Sequence, residues 1–307
     1  MSLLSLIAVF LLEQLKPLPY RRLVADPVRA FADFVESRVN AGEYKHGVLA
    51  WLVIVLPPVL MTAGLYAALY RVNPVLAWGL NVVVLYLTMG FRQFSHHYTE
   101  IQLALRMGDL ERARQLLAEW QGRSTQGMSS GDVARFAIEH ALVASHRHVF
   151  AVLVWFVLMP GPSGAVLYRL SALVAERWRE GDNLALGDFV KFSQRAFSII
   201  EWLPLRATAA AFAIVGDFED AVFCWRTQAD LWADRDLGIV LASGAGGLGV
   251  QLGMPVVESG EVTDRSELGI GEPADVDFMQ SAVGLVWRAI LLWMLLLFLL
   301  GLATLVG

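Results

Sequence analysis

The sequence predicts an all-α integral membrane protein, a helical bundle with kinked and re-entrant helices plus cytoplasmic amphipathic helices. Residues 289–307, 19 in all, contain no charged side chain, and at ~1.5 Å per residue a helix of that length crosses the hydrocarbon core of a bilayer. Hydrophobic residues make up 56% of the chain and charged residues 17%, against a soluble norm of ~25%. The ten tryptophans favour the boundary between membrane and water.

The apolar segments are predicted to belong to a single membrane domain, 1–307. Residues 2–12 are apolar but too short to cross a bilayer, which indicates a half-buried or interfacial helix. Residues 48–70 form the first confident span, and the pair Pro57–Pro58 is expected to kink it. Residues 74–89 form a second, shorter span. Because only three residues separate these two spans, they are predicted to form a tight helical hairpin.

The middle of the chain is also predicted to be helical. Residues 90–148 show apolar residues at three-to-four spacing with charged faces, which is typical of cytoplasmic amphipathic helices. Residues 149–175 contain an apolar run of 11 residues that is too short to span alone, so a half-membrane or re-entrant hairpin is expected. Residues 197–215 are apolar except for two charges, and are expected to face protein or a cavity. Residues 255–277 lose helical periodicity and are predicted to be a loop.

The arginine distribution predicts the orientation of the protein in the membrane. Basic residues are frequent both before residue 48 and through 90–148, so the positive-inside rule places both segments in the cytoplasm. Arg288 places the start of the last span, 289–307, in the cytoplasm and Gly307 outside. The sequence therefore predicts a multi-pass membrane protein that is in contact with the lipid bilayer.

Several kinds of site are excluded or disfavoured. The formal net charge of −5 leaves no basic patch for nucleic acid. The single cysteine, Cys224, excludes an internal disulfide and a four-thiolate metal site, and the six histidines show no ligand spacing, so no metal site is predicted. The stretch Gly244–Gly249 matches a dinucleotide fingerprint by letters, but nothing around it resembles a βαβ unit. Close helix packing, or a loop that admits a ligand, is favoured there instead.

Two polar groups are candidate ligand-binding residues. His96, His97 and Tyr98 follow the second span directly, where polar side chains extend from a cavity to the interface, although an ordinary cytoplasmic helix start is the preferred explanation. Glu201 and Arg206 lie in an otherwise apolar stretch. An arginine there is suited to hold a phosphate or carboxylate bidentately, and a structural ion pair is the alternative. We expect Arg206 to hold an anion, with the other four residues lining the same polar pocket.

The segment around Arg206 resembles a known integral-membrane family. Ile199-Ile-Glu-Trp-Leu-Pro-Leu-Arg206 is similar to the proline-arginine segment of the family that contains AmpE and the cobalamin proteins CobD and CbiB. Gly108-Asp-Leu-Glu-Arg-Ala-Arg114 and Gly122-Arg-Ser-Thr125 are similar to its GDL-x-x-AR and GRDT elements. Asp26-Pro-Val-Arg29 is similar to its HPVR, and residues 242–253 are similar to its glycine-rich AGALGVRLGG. These likenesses follow the family's order along most of the chain.

The resemblance implies two different functions. CobD and CbiB enzymes join aminopropanol or its phosphate to adenosylcobyric acid in an ATP-dependent, amide-forming step, whereas AmpE proteins are inner-membrane proteins linked to β-lactamase regulation. Either branch implies the bacterial inner (cytoplasmic) membrane. A corrinoid or another anionic small molecule is the expected ligand, and the chain is compatible with an oligomer. Arg123 of the GRDT-like element joins the expected ligand-binding residues. ATP and Mg²⁺ are implied only if the protein is a synthase.

The chain departs from the enzymes at four places. Their NT-x-DSM element reads Ser171-Ala-Leu-Val-Ala-Glu176 here, and their AR-x-DD-x-x-N element reads Gln194-Arg-Ala-Phe-Ser-Ile-Ile-Glu201, so the paired aspartates are absent. The histidine of HPVR is Asp26, and the aspartate of GRDT is Ser124. Acidic residues commonly hold the metal in ATP chemistry. We therefore prefer a ligand-binding or regulatory, AmpE-like signalling protein without assigned catalytic residues. The alternative is a working ATP-dependent adenosylcobinamide (phosphate) synthase.

Overall fold

The computed structural model describes residues 2–16, 18–180, 187–258, 261–263 and 265–306. The predicted all-α membrane fold is confirmed, because helices dominate the described elements and four of them are long and apolar enough to cross a membrane: Tyr44–Val72, Ser130–Leu158, Phe189–Val215 and Val276–Ala303. Gly307, which the sequence places outside the cell, is not among the described residues.

The helices follow one another with short connections. In chain order they are α1 Ser2–Leu15, α2 Asp26–Val39, α3 Tyr44–Val72, α4 Pro74–Thr88, α5 Phe91–Arg106, α6 Leu110–Gln121, α7 Ser130–Ser145, α8 Ala151–Leu158, α9 Ser163–Glu180, α10 Phe189–Val215, α11 Phe218–Gln228, α12 Arg235–Leu248 and α13 Val276–Val306. A π-helical segment, Arg21–Ala25, precedes α2, another, His146–Phe150, joins α7 to α8, and a 3₁₀ turn, Ala229–Leu231, follows α11.

The segment expected to be a loop, 255–277, contains short strands and the start of α13. Strand β1, Val250–Gln251, pairs in parallel with β4, Glu272–Pro273. Strand β2, Val256–Glu258, pairs antiparallel with β3, Glu261–Thr263. Strands this short give no alternating hydrophobic pattern, so the sequence shows only that helical periodicity ends here.

The chain forms two compact units. The first comprises Met1–Gly90 and Ala151–Pro204, and the second comprises Phe91–Phe150 and Leu205–Gly307. The core of the first unit is formed by buried residues from α2, α3, α9 and α10, with Trp178 and Phe189 in ring contact at 4.7 Å between centroids. Burial of these two large rings contributes about 1.5–3 kcal/mol each.

Two segments that were expected to enter the membrane only partway belong to long helices. The apolar run that begins at residue 149 continues without a break from α7, so Ser130–Leu158 is 29 residues long. The charged triplet His146–His148 suggests a boundary in the sequence, yet it lies inside this helix. Residues 197–215 likewise form the second part of α10, which has 27 residues. In contrast, α4 has only 15 residues and falls among the shorter apolar helices.

Aspartate and serine side chains fix several helix starts in the second unit. Asp109 accepts a hydrogen bond from the Arg112 amide at 3.0 Å, and Ser129 and Asp132 form a reciprocal capping box at the start of α7. Asp217 caps α11, and Asp234 caps α12 in the same way. Each such cap satisfies an orphan amide and stabilises its helix by about 1 kcal/mol.

The glycine-rich stretch lies within α12, which packs against α11 in the second unit. A Cβ at Gly246 would overlap the backbone carbonyl of Asp220 and come within 2.9 Å of the Ala221 Cα. The glycines therefore permit close helix packing, and the helix is not part of a βαβ unit. The dinucleotide reading has no support in this geometry.

Changing Gly246 to alanine is expected to destabilise the second unit by about 1–3 kcal/mol, because the added methyl group forces two helix backbones apart. The matched control is Gly284→Ala in α13, where an added Cβ meets nothing within 4 Å. That change is expected to be neutral or to stabilise the helix by up to about 1 kcal/mol. Thermal unfolding of the detergent-solubilised protein measures both. Equal melting temperatures for the two variants would contradict the packing argument.

Candidate functional site

In the first unit, two family-like segments meet through charged side chains. Arg29, which ends the HPVR-like segment on α2, contacts the Glu176 carboxylate on α9 at 3.3 Å. Asp33 lies one turn after Arg29 on α2. Both of its carboxylate oxygens accept hydrogen bonds from Arg177 on α9, at 2.7 and 3.1 Å. This second pair has the bidentate geometry that gives arginine its directional strength, and the hydrogen bond to Asp33 raises the pKa of Arg177. These two charge pairs connect α2 to α9.

A buried arginine lies next to these pairs in the first unit. Arg169 on α9 is 5% exposed, and its Nε donates to the backbone carbonyl of Thr88 at 2.8 Å. Its guanidinium group also lies over the Tyr20 ring, 5.2 Å from the centroid. Burial raises the pKa of Tyr20, and the positive charge of Arg169 opposes that rise. Arg169 therefore closes the last turn of α4 and supports the Tyr20 ring.

Glu201 is buried in the first unit at 3% exposure. Its carboxylate accepts a hydrogen bond from the hydroxyl of Tyr168 at 3.1 Å, and Tyr168 is itself fully buried. Arg206 follows on the same helix, is half-buried, and belongs to the second unit. A pocket shared by Glu201 and Arg206 stays a prediction.

In the second unit, three rings from three helices contact one another. The His97 ring of α5 stacks on Trp120 of α6 with centroids 6.1 Å apart, and the His140 ring of α7 meets the same indole edge-on at 4.3 Å. Arg123 follows Trp120 after Gly122, whose positive φ of 70° ends α6. Arg147 follows His140 by seven residues, two helical turns, on the same helical segment. We call these five residues, His97, Trp120, Arg123, His140 and Arg147, the Trp120 cluster.

Two basic residues belong to the segments that carry these rings. Arg123 follows Trp120 by three residues, and Arg147 follows His140 by seven. Arg123 is exposed and Arg147 is half-buried. The ring contacts thus join three helices of the second unit around one indole.

Tyr98 lies beside this cluster, but its hydroxyl group contacts a different helix. The ring is 3% exposed, and its hydroxyl donates to the Met279 carbonyl of α13 at 2.8 Å. Burial raises the pKa of Tyr98, so the phenol remains neutral at any physiological pH. Tyr98 also lines an apolar cavity of about 250 Å³, together with Phe91, Phe94 and Trp287.

His96 is exposed, and its ring nitrogen lies 3.5 Å from the Glu100 carboxylate one turn later. Its own ring is 6.0 Å from that of His97. Exposed pairs of this kind contribute little to stability, and His96 lies at the edge of the cluster.

A buried ion pair in the second unit was not anticipated from the sequence. Glu139 of α7 accepts hydrogen bonds from the Gly253 amide at 2.8 Å and from Arg265 at 2.5 Å. The Arg265 guanidinium lies over two aromatic rings, 4.5 Å from the centroid of Phe136 and 4.7 Å from that of Trp232. Glu139 therefore anchors the segment that follows α12, where the sequence predicts only a loop.

The structure thus places the six expected ligand-binding residues in different surroundings. His97 and Arg123 belong to the Trp120 cluster, Tyr98 borders it, and His96 faces solvent nearby. Sequence reasoning missed Trp120, His140 and Arg147. The seven-residue spacing of the last two was the available signal, but the sequence analysis ended the cytoplasmic helices at residue 148 and began a half-membrane hairpin at residue 149. Within the described residues, no group of three or more histidine, cysteine, aspartate or glutamate side chains is close enough to hold a metal ion.

Comparison with known proteins extends the likeness to the whole chain. The chain is 36% identical over 301 residues to the Cobalamin biosynthesis protein CobD of Stutzerimonas stutzeri, covering 96% of both chains. It is 34% identical over 244 residues to the protein of the same name in Chromobacterium violaceum, covering 80% of this chain and 76% of that protein. The Cobalamin biosynthesis protein CbiB of Salmonella typhimurium is 26% identical over 261 residues, covering 79% and 77%. No solved structure matches the chain.

These relatives overturn the function preferred from the sequence. The AmpE-like regulatory reading is wrong, because full-length similarity connects the chain to proteins named for cobalamin biosynthesis. The four motif departures were given too much weight against it. A family profile described as CobD/Cbib protein matches residues 6–286 of the 307. The chain belongs to the CobD/CbiB family.

Proposed function

We propose that this protein is a membrane-bound synthase of cobalamin biosynthesis that forms the amide bond between adenosylcobyric acid and aminopropanol or aminopropanol phosphate. The observation that carries the proposal is the likeness over nearly the full length to a protein named for cobalamin biosynthesis. The membrane in question is proposed to be the bacterial inner membrane, in line with the apolar helices of the chain and its bacterial relatives.

The charged contacts of the first unit support retention of the family's architecture. Arg29 and Glu176 belong to segments whose letters differ from the enzymes', yet their side chains contact each other. Arg177 and Asp33 add a bidentate pair beside them. Both pairs are partly exposed, so they contribute about 0–1 kcal/mol each and are available to exchange partners with a charged ligand.

The departures at Asp26 and Ser124 lie at accessible positions. Asp26 is near the exposed Arg21, 3.9 Å between the charged atoms, and Ser124 is exposed beside Arg123. Neither substitution leaves a buried polar group that would disrupt folding. The changes are therefore compatible with an intact protein that holds its ligands through neighbouring residues.

ATP and Mg²⁺ are the expected co-substrate and metal. Mg²⁺ that arrives with a nucleotide commonly needs only one or two protein carboxylates, because phosphate oxygens and water complete its coordination. The partly exposed Asp33 and Glu176 on α2 and α9 are the carboxylates proposed for this role, and each would have to exchange its arginine partner for the metal. ATP would supply the phosphoryl or adenylyl group that carries away the carboxylate oxygen displaced by the amine. Arg206 stays a proposed anion-holding residue, with Glu201, His96, His97, Tyr98 and Arg123 as the other proposed ligand residues.

Genetic complementation tests the proposal. A bacterial strain that lacks its cobinamide-forming synthase should grow under cobalamin-requiring conditions when it expresses this chain, without added cobinamide. The Stutzerimonas stutzeri relative is the positive control, and rescue of the empty-vector strain by cobinamide shows that later steps are intact. The proposal fails if the relative restores growth and this chain, at equal membrane abundance, does not.

A further inference from the structure

The outward face of α2 and of the π-helical segment before it is apolar. Leu23, Phe31 and Phe34 are 57%, 45% and 55% exposed. Pro27 and Ala30 are exposed as well. At 3.6 residues per turn, the four positions of α2 lie within an arc of about 100° on the helix surface. They therefore form one stripe, which we call the α2 apolar face.

The charged residues of α2 lie on the opposite side and contact protein. Arg29 contacts the Glu176 carboxylate of α9 at 3.3 Å, and Asp33 pairs with Arg177 of the same helix. A surface helix in water normally shows the reverse arrangement, with its apolar stripe inward and its charges outward. The medium outside α2 is therefore expected to be apolar.

The position of α2 in the first unit places it beside a helix that is long and apolar enough to cross the membrane. Only residues 40–43 connect α2 to α3, so the two helix ends are at most about 18 Å apart. Ala32 and Val35 of α2 belong to the same buried core as Ala50 and Ile54, which lie in the first turns of α3. The α2 apolar face thus lies at the level where α3 begins its apolar stretch.

Exposed arginines stand at both ends of the α2 apolar face. Arg22 directly precedes Leu23, and Arg38 follows Phe34 by one turn, with its guanidinium group 5.2 Å from the centroid of that ring. Arginine side chains at a membrane boundary extend to the head groups while apolar neighbours lie deeper. A helix with an apolar middle and a cation at each end fits the plane of that boundary.

We propose that residues 21–39 form a helix in the membrane interface, whose α2 apolar face inserts at the boundary of the acyl chains and whose Arg22 and Arg38 bind the phosphate groups of anionic phospholipids. The arginine distribution predicts that this part of the chain is cytoplasmic, and the cytoplasmic leaflet carries the negative surface potential that attracts such a helix. The inference concerns an interaction surface and does not depend on the proposed function.

Site-directed spin labelling of the full-length protein in nanodiscs tests the depth of the α2 apolar face. A nitroxide is attached to Phe31→Cys in a Cys224→Ala background, and its collisions with oxygen and with a water-soluble nickel chelate are measured. Leu60→Cys, in the middle of α3, is the membrane reference, and Gln115→Cys, an exposed polar position on α6, is the water reference. The ratio of oxygen to nickel accessibility at residue 31 should exceed that at residue 115 by about threefold or more. Ala30→Cys repeats the measurement without removing an aromatic ring.

A fluorescence experiment tests the preference for anionic lipid. A bimane fluorophore at residue 31 reports quenching in nanodiscs made of phosphatidylcholine with a minor fraction of phosphatidylglycerol. Brominated acyl chains are carried either by the phosphatidylglycerol or by an equal amount of the phosphatidylcholine. Phosphatidylglycerol should quench about threefold more strongly, because each nearby arginine favours an anionic head group.

Charge-matched double variants show whether the two arginines cause this preference. Arg22→Gln with Arg38→Gln should make the two brominated lipids quench equally. The control is Arg112→Gln with Arg226→Gln, which removes the same net charge from exposed positions on α6 and α11 and should retain the preference.

Three results would overturn the proposal. High nickel accessibility at residues 30 and 31 would place the face in water. Exclusion of both oxygen and nickel would show that protein covers it, as in a contact with a second copy of this chain. Equal quenching by the two lipids in the parent, or a preference that survives the loss of Arg22 and Arg38, would remove the anionic phospholipid as the partner.

Discussion

Replacing Glu139 by alanine is expected to destabilise the second unit by about 3–5 kcal/mol, because it leaves the buried Arg265 guanidinium without its counter-charge. The Glu139 side chain is 8% exposed and that of Arg265 is 17% exposed, so solvent cannot replace the lost carboxylate. The Gly253 amide loses its acceptor at the same time. Thermal or denaturant unfolding of the solubilised protein measures the loss.

The control is Glu267→Ala, an exposed carboxylate two residues after Arg265. It should change stability by no more than about 0.5 kcal/mol. A second variant, Glu139→Leu with Arg265→Met, removes both charges and should be less destabilised than Glu139→Ala, because no unpaired charge stays buried. If Glu139→Ala melts together with the Glu267→Ala control, the pair does not anchor this segment.

This anchor controls the position of the chain after α12. Gly253 has a φ of 73° and packs so closely on the Ser266 backbone that a side chain there would collide with it. Glu139 is 126 residues from Arg265 in the sequence. Hydrogen-exchange protection of residues 250–253 should therefore fall in Glu139→Ala before the helices open.

The sequence was sufficient for the elements whose signal is local. Residues 289–306 of the uncharged run lie inside α13, and the apolar stretch 48–70 lies inside α3, because length and hydropathy alone determine whether a helix can cross a bilayer. The glycine-rich stretch was also interpretable, since the absence of alternating strands around it excluded a nucleotide-binding βαβ unit and favoured helix packing.

The candidate site depended on contacts between distant segments, and these have no local signal. His97, Trp120 and His140 lie on three helices, so nothing in their spacing shows that their rings touch. The sequence analysis also divided this helical segment at residue 148, where the cytoplasmic helices were expected to end and a half-membrane hairpin to begin. A continuous helix from residue 130 to 158 places Arg147 two turns from His140.

The preferred function was wrong for a related reason. The absence of the motif aspartates from the segments 171–176 and 194–201 was interpreted as the loss of chemistry. The contact between Arg29 and Glu176 shows that two motif-like segments still meet through a charged pair when the letters differ. A sequence motif describes one set of residues that can bring two segments into contact. The side-chain contacts themselves show whether the two segments still meet when the residues differ.

Replacing Arg169 by methionine is expected to destabilise the first unit by about 2–3 kcal/mol. Arg169 donates from both Nε and Nη2 to the carbonyl of Thr88, the last residue of α4. The last carbonyls of a helix have no partner within it, so this side chain supplies a bond that water cannot supply at a buried position. Methionine fills a similar volume but leaves the carbonyl unsatisfied, which accounts for most of the expected loss. Thermal unfolding of the purified protein measures it.

Arg169→Lys distinguishes the forked geometry from the charge. Lysine keeps a positive charge near the C-terminus of α4 but offers one point donor instead of two fixed ones, so a loss of about 1 kcal/mol is expected. Arg71→Met, which removes an exposed arginine from the end of α3, should stay within about 0.5 kcal/mol of the wild type. If lysine and methionine at 169 destabilise equally, charge contributes nothing and the fork alone matters. If both match Arg71→Met, the hydrogen bonds to Thr88 do not stabilise α4, and the position of this short helix depends on its contacts with α1 and α3 instead.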